Sequence, residues 1–113
     1  MQVGFQNKRK ITDAALPEKI RTIGSYAFAR CSKLKHLTVP TQVTKIGAYA
    51  FKGDKNLKKL TVESGKLTKN NVKKSLADSS VNIIQLTQAA KNKKGSYKKI
   101  FAASNSGKKV TIR

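Results

Sequence analysis

Apolar positions recur along residues 16–62 with a fixed period. Ile20, Ile23, Phe28, Leu34, Leu37 and Val39 are followed 23 residues later by Val43, Ile46, Phe51, Leu57, Leu60 and Val62. Pro17, Gly24 and the Tyr26–Ala27 pair repeat in phase as Pro40, Gly47 and Tyr49–Ala50. Within each period Leu-x-x-Leu-x-Val alternates apolar with polar residues, which predicts a short strand with one buried face. His36 and Thr38 then point outward between Leu37 and Val39, and Pro40, lacking an N–H, closes the strand. Ile20 and Ile23 form a second inward pair on the returning limb. Gly24 and Gly47, directly after an inward isoleucine, suit a tight turn that needs either a positive φ or a close backbone approach. Residues 25–28 and 48–51 predict a short helical turn, with Phe28 stacked on Phe51.

Twenty to thirty residues per period with this leucine spacing marks a leucine-rich solenoid, in which each unit buries its core only against a neighbour. The expected fold is α/β: a short right-handed solenoid of about three units, with a parallel sheet on one face and short helical turns opposite. Residues 1–10 read as a flexible lead-in or the end of an upstream repeat. Residues 11–86 carry the repeats, with clear units at 16–39 and 39–62 and a degenerate unit at 63–86. No N-terminal cap is evident, so the chain is expected to be the C-terminal part of a longer array. In the degenerate unit Leu67, Val72, Leu76 and Ala77 stand in for the Ile-Gly-x-x-Ala-Phe limb, and residues 81–86 predict a last regular strand.

Residues 87–113 read as a C-terminal cap. Thr87 is expected to open a short helix through Ala90, which residues 92–95 break. Ser96 is placed as the N-cap of a second helix over residues 97–103. Tyr97, Ile100 and Phe101 form one apolar stripe at i, i+3 and i+4, suited to lie across the open end of the repeats. Residues 105–107 end that helix, and residues 108–113 predict a closing strand.

Charge changes this picture more than composition does. Among 113 residues, 25 Lys and Arg face 5 Asp and Glu, a formal net charge of +20. Such an excess repels itself within a compact fold and favours contact with polyanions. Only four of the cations are Arg, so the less specific phosphate reader dominates. No apolar run reaches the roughly 20 residues of a membrane span. The first residues are basic but lead into no apolar segment, so no signal peptide is visible.

Catalysis finds no support. Cys31 and His36 are the sole cysteine and histidine, and the acids Asp13, Glu18, Asp54, Glu63 and Asp78 are scattered. No nucleophile–base pair, metal-ligand spacing or carboxylate couple arises from them. Cys31 sits at a repeat position that suits a small buried apolar slot. Neither an enzyme nor a cofactor is expected.

The repeat pattern of residues 16–39, Leu-Pro-x-x-Ile-x-x-Ile-Gly-x-Tyr-Ala-Phe-x-x-Cys-x-x-Leu-x-x-Leu-x-Val, resembles the BspA-type leucine-rich repeat. The second unit departs from it at Asp54, where the cysteine would stand. The likeness is strong over residues 11–62 and weaker beyond. It implies a bacterial surface or secreted protein, since members include adhesins that bind host proteins and other cells, and protozoan surface proteins use the repeat too. The function expected on this basis is a non-enzymatic recognition or adhesion module, extracellular or on the cell surface. Its partner would be a protein or glycan on a host or neighbouring cell.

Outward strand positions supply the candidate binding face: Asp13 and Ala15, His36 and Thr38, Lys59 and Thr61, then Asn82 or Ile83 with Gln85. Lys33, Lys35, Lys55, Lys58 and Lys59 recur beside these strands, while Lys91, Lys93, Lys94, Lys98 and Lys99 give the cap a second basic edge. The alternative function is therefore general polyanion binding, to cell-wall polymer, glycosaminoglycan or nucleic acid. Sequence-specific nucleic-acid reading has no helix-turn-helix, zinc finger or aromatic strand to support it. Tyr26 and Tyr49 resemble stacking platforms, but their place beside Phe28 and Phe51 favours partial burial.

Overall fold

The computed structural model describes residues 2–3, 13–14, 16, 18–31, 33–104 and 110–113. The assignments made above for residues 4–12 and for the stop at 105–107 lie outside them. Among the described residues there are eight strands: β1 (Gln2–Val3), β2 (Asp13–Ala14), β3 (Thr22–Ile23), β4 (His36–Val39), β5 (Lys45–Ile46), β6 (Lys59–Val62), β7 (Ile83–Leu86) and β8 (Thr111–Ile112). The helix α1 (Lys94–Ser104) separates the last two, after a 3-10 turn at Gln88–Lys93.

Strands β1 to β6 alternate between two parallel sheets, and β7 and β8 extend the second of them. One has the order β1-β3-β5 and the other β2-β4-β6-β7-β8, so a single sheet was too simple an expectation. The returning limb that carries Ile23 and Ile46 is itself a strand. The sequence period becomes the register: Ile23 pairs with Ile46, Val39 with Val62, and Ala14 with Leu37. The next step is one residue longer, with Lys59 opposite Ile83 and Val62 opposite Leu86.

In β4 the alternation is strict, with His36 and Thr38 exposed and Leu37 and Val39 buried. The interior is a set of columns running from unit to unit. Phe28 and Phe51 are both fully buried and stack at 5.8 Å between centroids, tilted by 12°. Leu76 is buried in the next unit and replaces the aromatic ring there. Each such large apolar side chain contributes about 1.5–3 kcal/mol on burial.

The segments expected to be helical turns are not helical. Their N–H groups alternate between two kinds of acceptor. Ala27, Ala29 and Cys31 donate to the carbonyls of Gly24, Tyr26 and Phe28, three residues back, at 3.0–3.2 Å. Tyr26, Phe28 and Arg30 donate instead to Ala48, Ala50 and Lys52 of the next unit, at 3.2, 2.8 and 2.7 Å. Tyr49 and Gly53 repeat the pattern toward Lys74 and Asp78, at 2.9 and 3.1 Å. This between-unit ladder needs a left-handed residue at two places per unit. Those places are Tyr26 and Arg30 (φ 59° and 64°), Tyr49 and Gly53 (58° and 79°), and Lys74 and Asp78 (both 58°). The degenerate unit thus keeps the backbone path after losing the Tyr, Gly and Phe that announce it.

In that unit no strand extends the smaller sheet among the described residues; a 3-10 turn at Asn70–Val72 packs against β5 in its place. Gly47 does not have a positive φ. It permits a close approach instead, since a Cβ there would lie 2.3 Å from the Ser25 nitrogen and 2.7 Å from the Ser25 Cα.

Beyond β7 the helical segments begin differently from expectation. Thr87 precedes a 3-10 turn without capping it through its side chain, and Lys94 carries the chain directly into α1. Gly95 and Ser96 therefore lie inside the helix rather than before it. Tyr97 and Phe101 are buried and meet edge to face at 5.6 Å, with Ile100 packed partly against the core. The Tyr97 hydroxyl donates to the Ser64 carbonyl at 2.7 Å and accepts the Leu67 N–H at 3.2 Å, which ties the helix to the degenerate unit. β8 then adds to the larger sheet, Ile84 opposite Ile112.

Candidate interaction surface

The larger sheet presents the outward strand side chains in rows. Thr38 lies opposite Thr61, and Thr61 opposite Gln85. Lys59 lies opposite Ile83, and Ile83 opposite Thr111. Of the two residues weighed for the Lys59 row, the register selects Ile83 over Asn82. His36, Thr38, Lys59 and Thr111 are exposed; Thr61, Ile83 and Gln85 are half-buried. Gln85 also bonds within its own sheet, Nε2 donating to the Leu86 carbonyl at 3.2 Å. At the β7–β8 end, Asn82, Ile83, Thr111 and Arg113 line an open cleft of about 310 Å³.

Lys33 and Lys35 are exposed on the approach to β4, and Lys58 is exposed on the approach to β6. Lys35 and Lys58 are one period apart in the sequence, and Lys59, next to Lys58, opens β6 and is also exposed. Asp13 belongs to the sheet through its pairing with His36, and Ala15 lies outside the described residues.

Two features go beyond the sequence reading, which expected Tyr26 and Tyr49 to be partly buried: Tyr49 is half-buried, but Tyr26 is exposed. The first is a surface on the turn side of the units. Tyr26 and Tyr49 stack at 5.4 Å with a tilt of 19°, and the Lys52 ammonium stands 5.5 Å from the Tyr49 centroid. Tyr26 is the one large hydrophobic side chain exposed among the described residues, at 39%. Tyrosines one period apart, two residues before an inward phenylalanine, were the available signal.

The second is Asp54, fully buried where the first unit has Cys31. Its Oδ1 accepts the Cys31 N–H at 2.8 Å, while Oδ2 is buried without a hydrogen-bond partner. Burial pushes the Asp54 carboxyl up to about 8, against the opposing effect of the Cys31 N–H. In the third unit Ser79 takes the slot and satisfies itself locally, its hydroxyl donating to the Leu76 carbonyl at 2.6 Å.

Among the described residues, no group of three or more His, Cys, Asp or Glu is placed to hold a metal ion, and no helix is long and apolar enough to cross a membrane. The arrangement offers surfaces for contact.

A family model described as BspA type Leucine rich repeat region (6 copies) matches residues 2–113. The chain belongs to this family. The match extends on both sides of the two clear repeats at residues 16–62. No curated protein and no solved structure matches the chain.

Proposed function

We propose that this BspA-type repeat chain is a non-enzymatic recognition module, secreted or held at a cell surface, that contacts a protein or glycan of a host or neighbouring cell. The repeats are read as a short right-handed solenoid, each clear unit adding one strand to each sheet. The observation that carries the reading is the row of outward side chains in parallel register, Thr38–Thr61–Gln85 beside Lys59–Ile83–Thr111. A parallel sheet repeated unit by unit makes an extended contact surface. Membership of an interaction-repeat family, whose proteins are generally surface or secreted, supports the same reading.

A second reading has its own observation. Lys33, Lys35, Lys58 and Lys59 are all exposed, on or just before β4 and β6, which suits a polyanion such as cell-wall polymer, glycosaminoglycan or nucleic acid.

Salt separates the two. The chain is assayed against matrix proteins and intact cells at about 50 and 300 mM salt, since exposed charge contacts fade at the higher value. Binding that persists at high salt and is lost in Thr38→Arg and Thr61→Arg supports the strand face. Binding that vanishes with salt and ignores both substitutions overturns it and leaves the exposed lysines.

A further inference from the structure

We propose that the turn side of the units is a second binding surface, a ridge for an acidic polysaccharide carrying sulfate or carboxylate groups. Its residues lie between β3 and β4, between β5 and β6, and in the degenerate unit, outside both sheets, so it stands independently of the strand face. One slot per unit holds Tyr26, Tyr49 and Lys74; four residues further on, the next slot holds Arg30, Gly53 and Asp78. Tyr26, Arg30, Lys52 and Lys74 are exposed.

The backbone makes these side chains worth explaining. All of these slots have φ between 58° and 79°, where glycine fits without cost and a large side chain does not. Gly53 demonstrates that the ladder accepts glycine. Tyrosine nonetheless occupies the first slot in both clear units, and there it fills no core position: Phe28 and Phe51 do that. What the tyrosines make is an outward stack, with the Lys52 ammonium over the second ring.

The chemistry of the ridge selects the partner. Arg30, Lys52 and Lys74 offer N–H donors for sulfate or carboxylate, against one acid, Asp78. The tyrosine edges and the exposed Tyr26 ring offer hydroxyl and apolar contact for a sugar. A linear polysaccharide presents one acidic group after another, as the ridge presents one slot after another. Single-stranded nucleic acid fits less well, because it needs successive free ring faces for successive bases. Here Tyr49 already has Tyr26 and Lys52 over its ring, which leaves Tyr26 alone.

The test uses the full chain at about 150 mM salt, to screen diffuse attraction, with heparin, polygalacturonate and oligothymidylate as probes. In one variant Tyr26→Gly, Arg30→Gly and Lys74→Gly are combined, each at a left-handed residue where glycine relieves the backbone and preserves folding. A second variant, Lys19→Gln with Lys45→Gln, removes the same number of positive charges, two, elsewhere. Circular dichroism confirms that both are folded. The ridge variant is expected to lose at least about tenfold in affinity for heparin or polygalacturonate, and the charge control less than about twofold. Equal losses in the two variants, or tighter binding of oligothymidylate than of either polysaccharide, overturn the proposal. Thr38→Arg and Thr61→Arg leave polysaccharide binding intact if the two surfaces are separate, and abolition by them assigns that binding to the strand face instead.

Discussion

The backbone N–H of Cys31 donates to the buried Asp54 carboxylate oxygen Oδ1, 2.8 Å away across one repeat period. One unit thus offers a backbone N–H of its neighbour, which it shares with the Phe28 carbonyl, a side-chain acceptor standing where its own cysteine would be. The second carboxylate oxygen has no such partner and is enclosed by the core.

This makes stability depend on pH. Asp54 titrates near 8 in the folded chain against an ordinary 3.8, so between those values the folded state holds a proton that the unfolded state has released. Unfolding then releases a proton, and stability falls as pH rises. The full contribution is present below about pH 4 and is lost by about pH 8, at up to about 1.4 kcal/mol per pH unit. Urea midpoints measured at pH 5 and pH 8 should therefore drop. In Asp54→Asn, which keeps an acceptor for Cys31 and cannot ionise, that drop should flatten; an unchanged slope would assign the dependence to other groups.

The aromatic column gives a graded series. Phe51 lies against Phe28, and the next unit has Leu76 buried in the corresponding place. Phe51→Ala should cost about 3–5 kcal/mol, through lost transfer energy and the cavity left behind. Phe51→Leu, which copies the solution of the third unit, should cost less than about 1.5 kcal/mol. Denaturant unfolding of the two variants checks the order.

Two glycines should respond in opposite directions to the same change. A methyl group on Gly47 would meet the Ser25 backbone at 2.3 Å, where no flexible side chain can yield. Gly47→Ala is expected to cost about 3 kcal/mol, at the upper end of overpacking effects. Gly95 has nothing within 4 Å of an added Cβ and lies in α1, so Gly95→Ala should stabilise by about 0.5 kcal/mol. Thermal midpoints moving the same way in both variants would contradict this assignment.

The attachment of α1 should loosen when one hydroxyl is removed. Tyr97→Phe keeps the ring against Phe101 but strands the Ser64 carbonyl and the Leu67 N–H, both of which the hydroxyl bonds. A loss of about 1–3 kcal/mol is expected. Hydrogen exchange should accelerate first at the Leu67 amide and within α1, before β4 and β6; uniform acceleration across all strands would show that α1 does not open by itself.

Much of this architecture was legible in advance, for a definite reason. The period that places Ile46 after Ile23 and Val62 after Val39 is a property of the chain alone, and parallel pairing converts it directly into register. The alternation in His36–Val39 likewise determined which side chains face out, because strand geometry has a period of two. The stack of Phe28 on Phe51 followed from the same offset. Tertiary structure decided the rest. Tyr26 and Arg30 adopt left-handed backbone, against their local preference, because their N–H groups bond carbonyls of the next unit. That contact over 22 residues leaves no local pattern to read. Ser96 looked like a helix cap, yet the preceding 3-10 turn and the burial of Tyr97 carry the helix through it. Asp54, an acid between Gly53 and Lys55, reads locally as a solvated turn residue; only its enclosure beneath Cys31 turns it into a buried group with a raised pKa. Periodicity therefore determines which residues repeat and which face inward, while hydrogen bonding and burial between units decide what conformation and what charge state those residues hold.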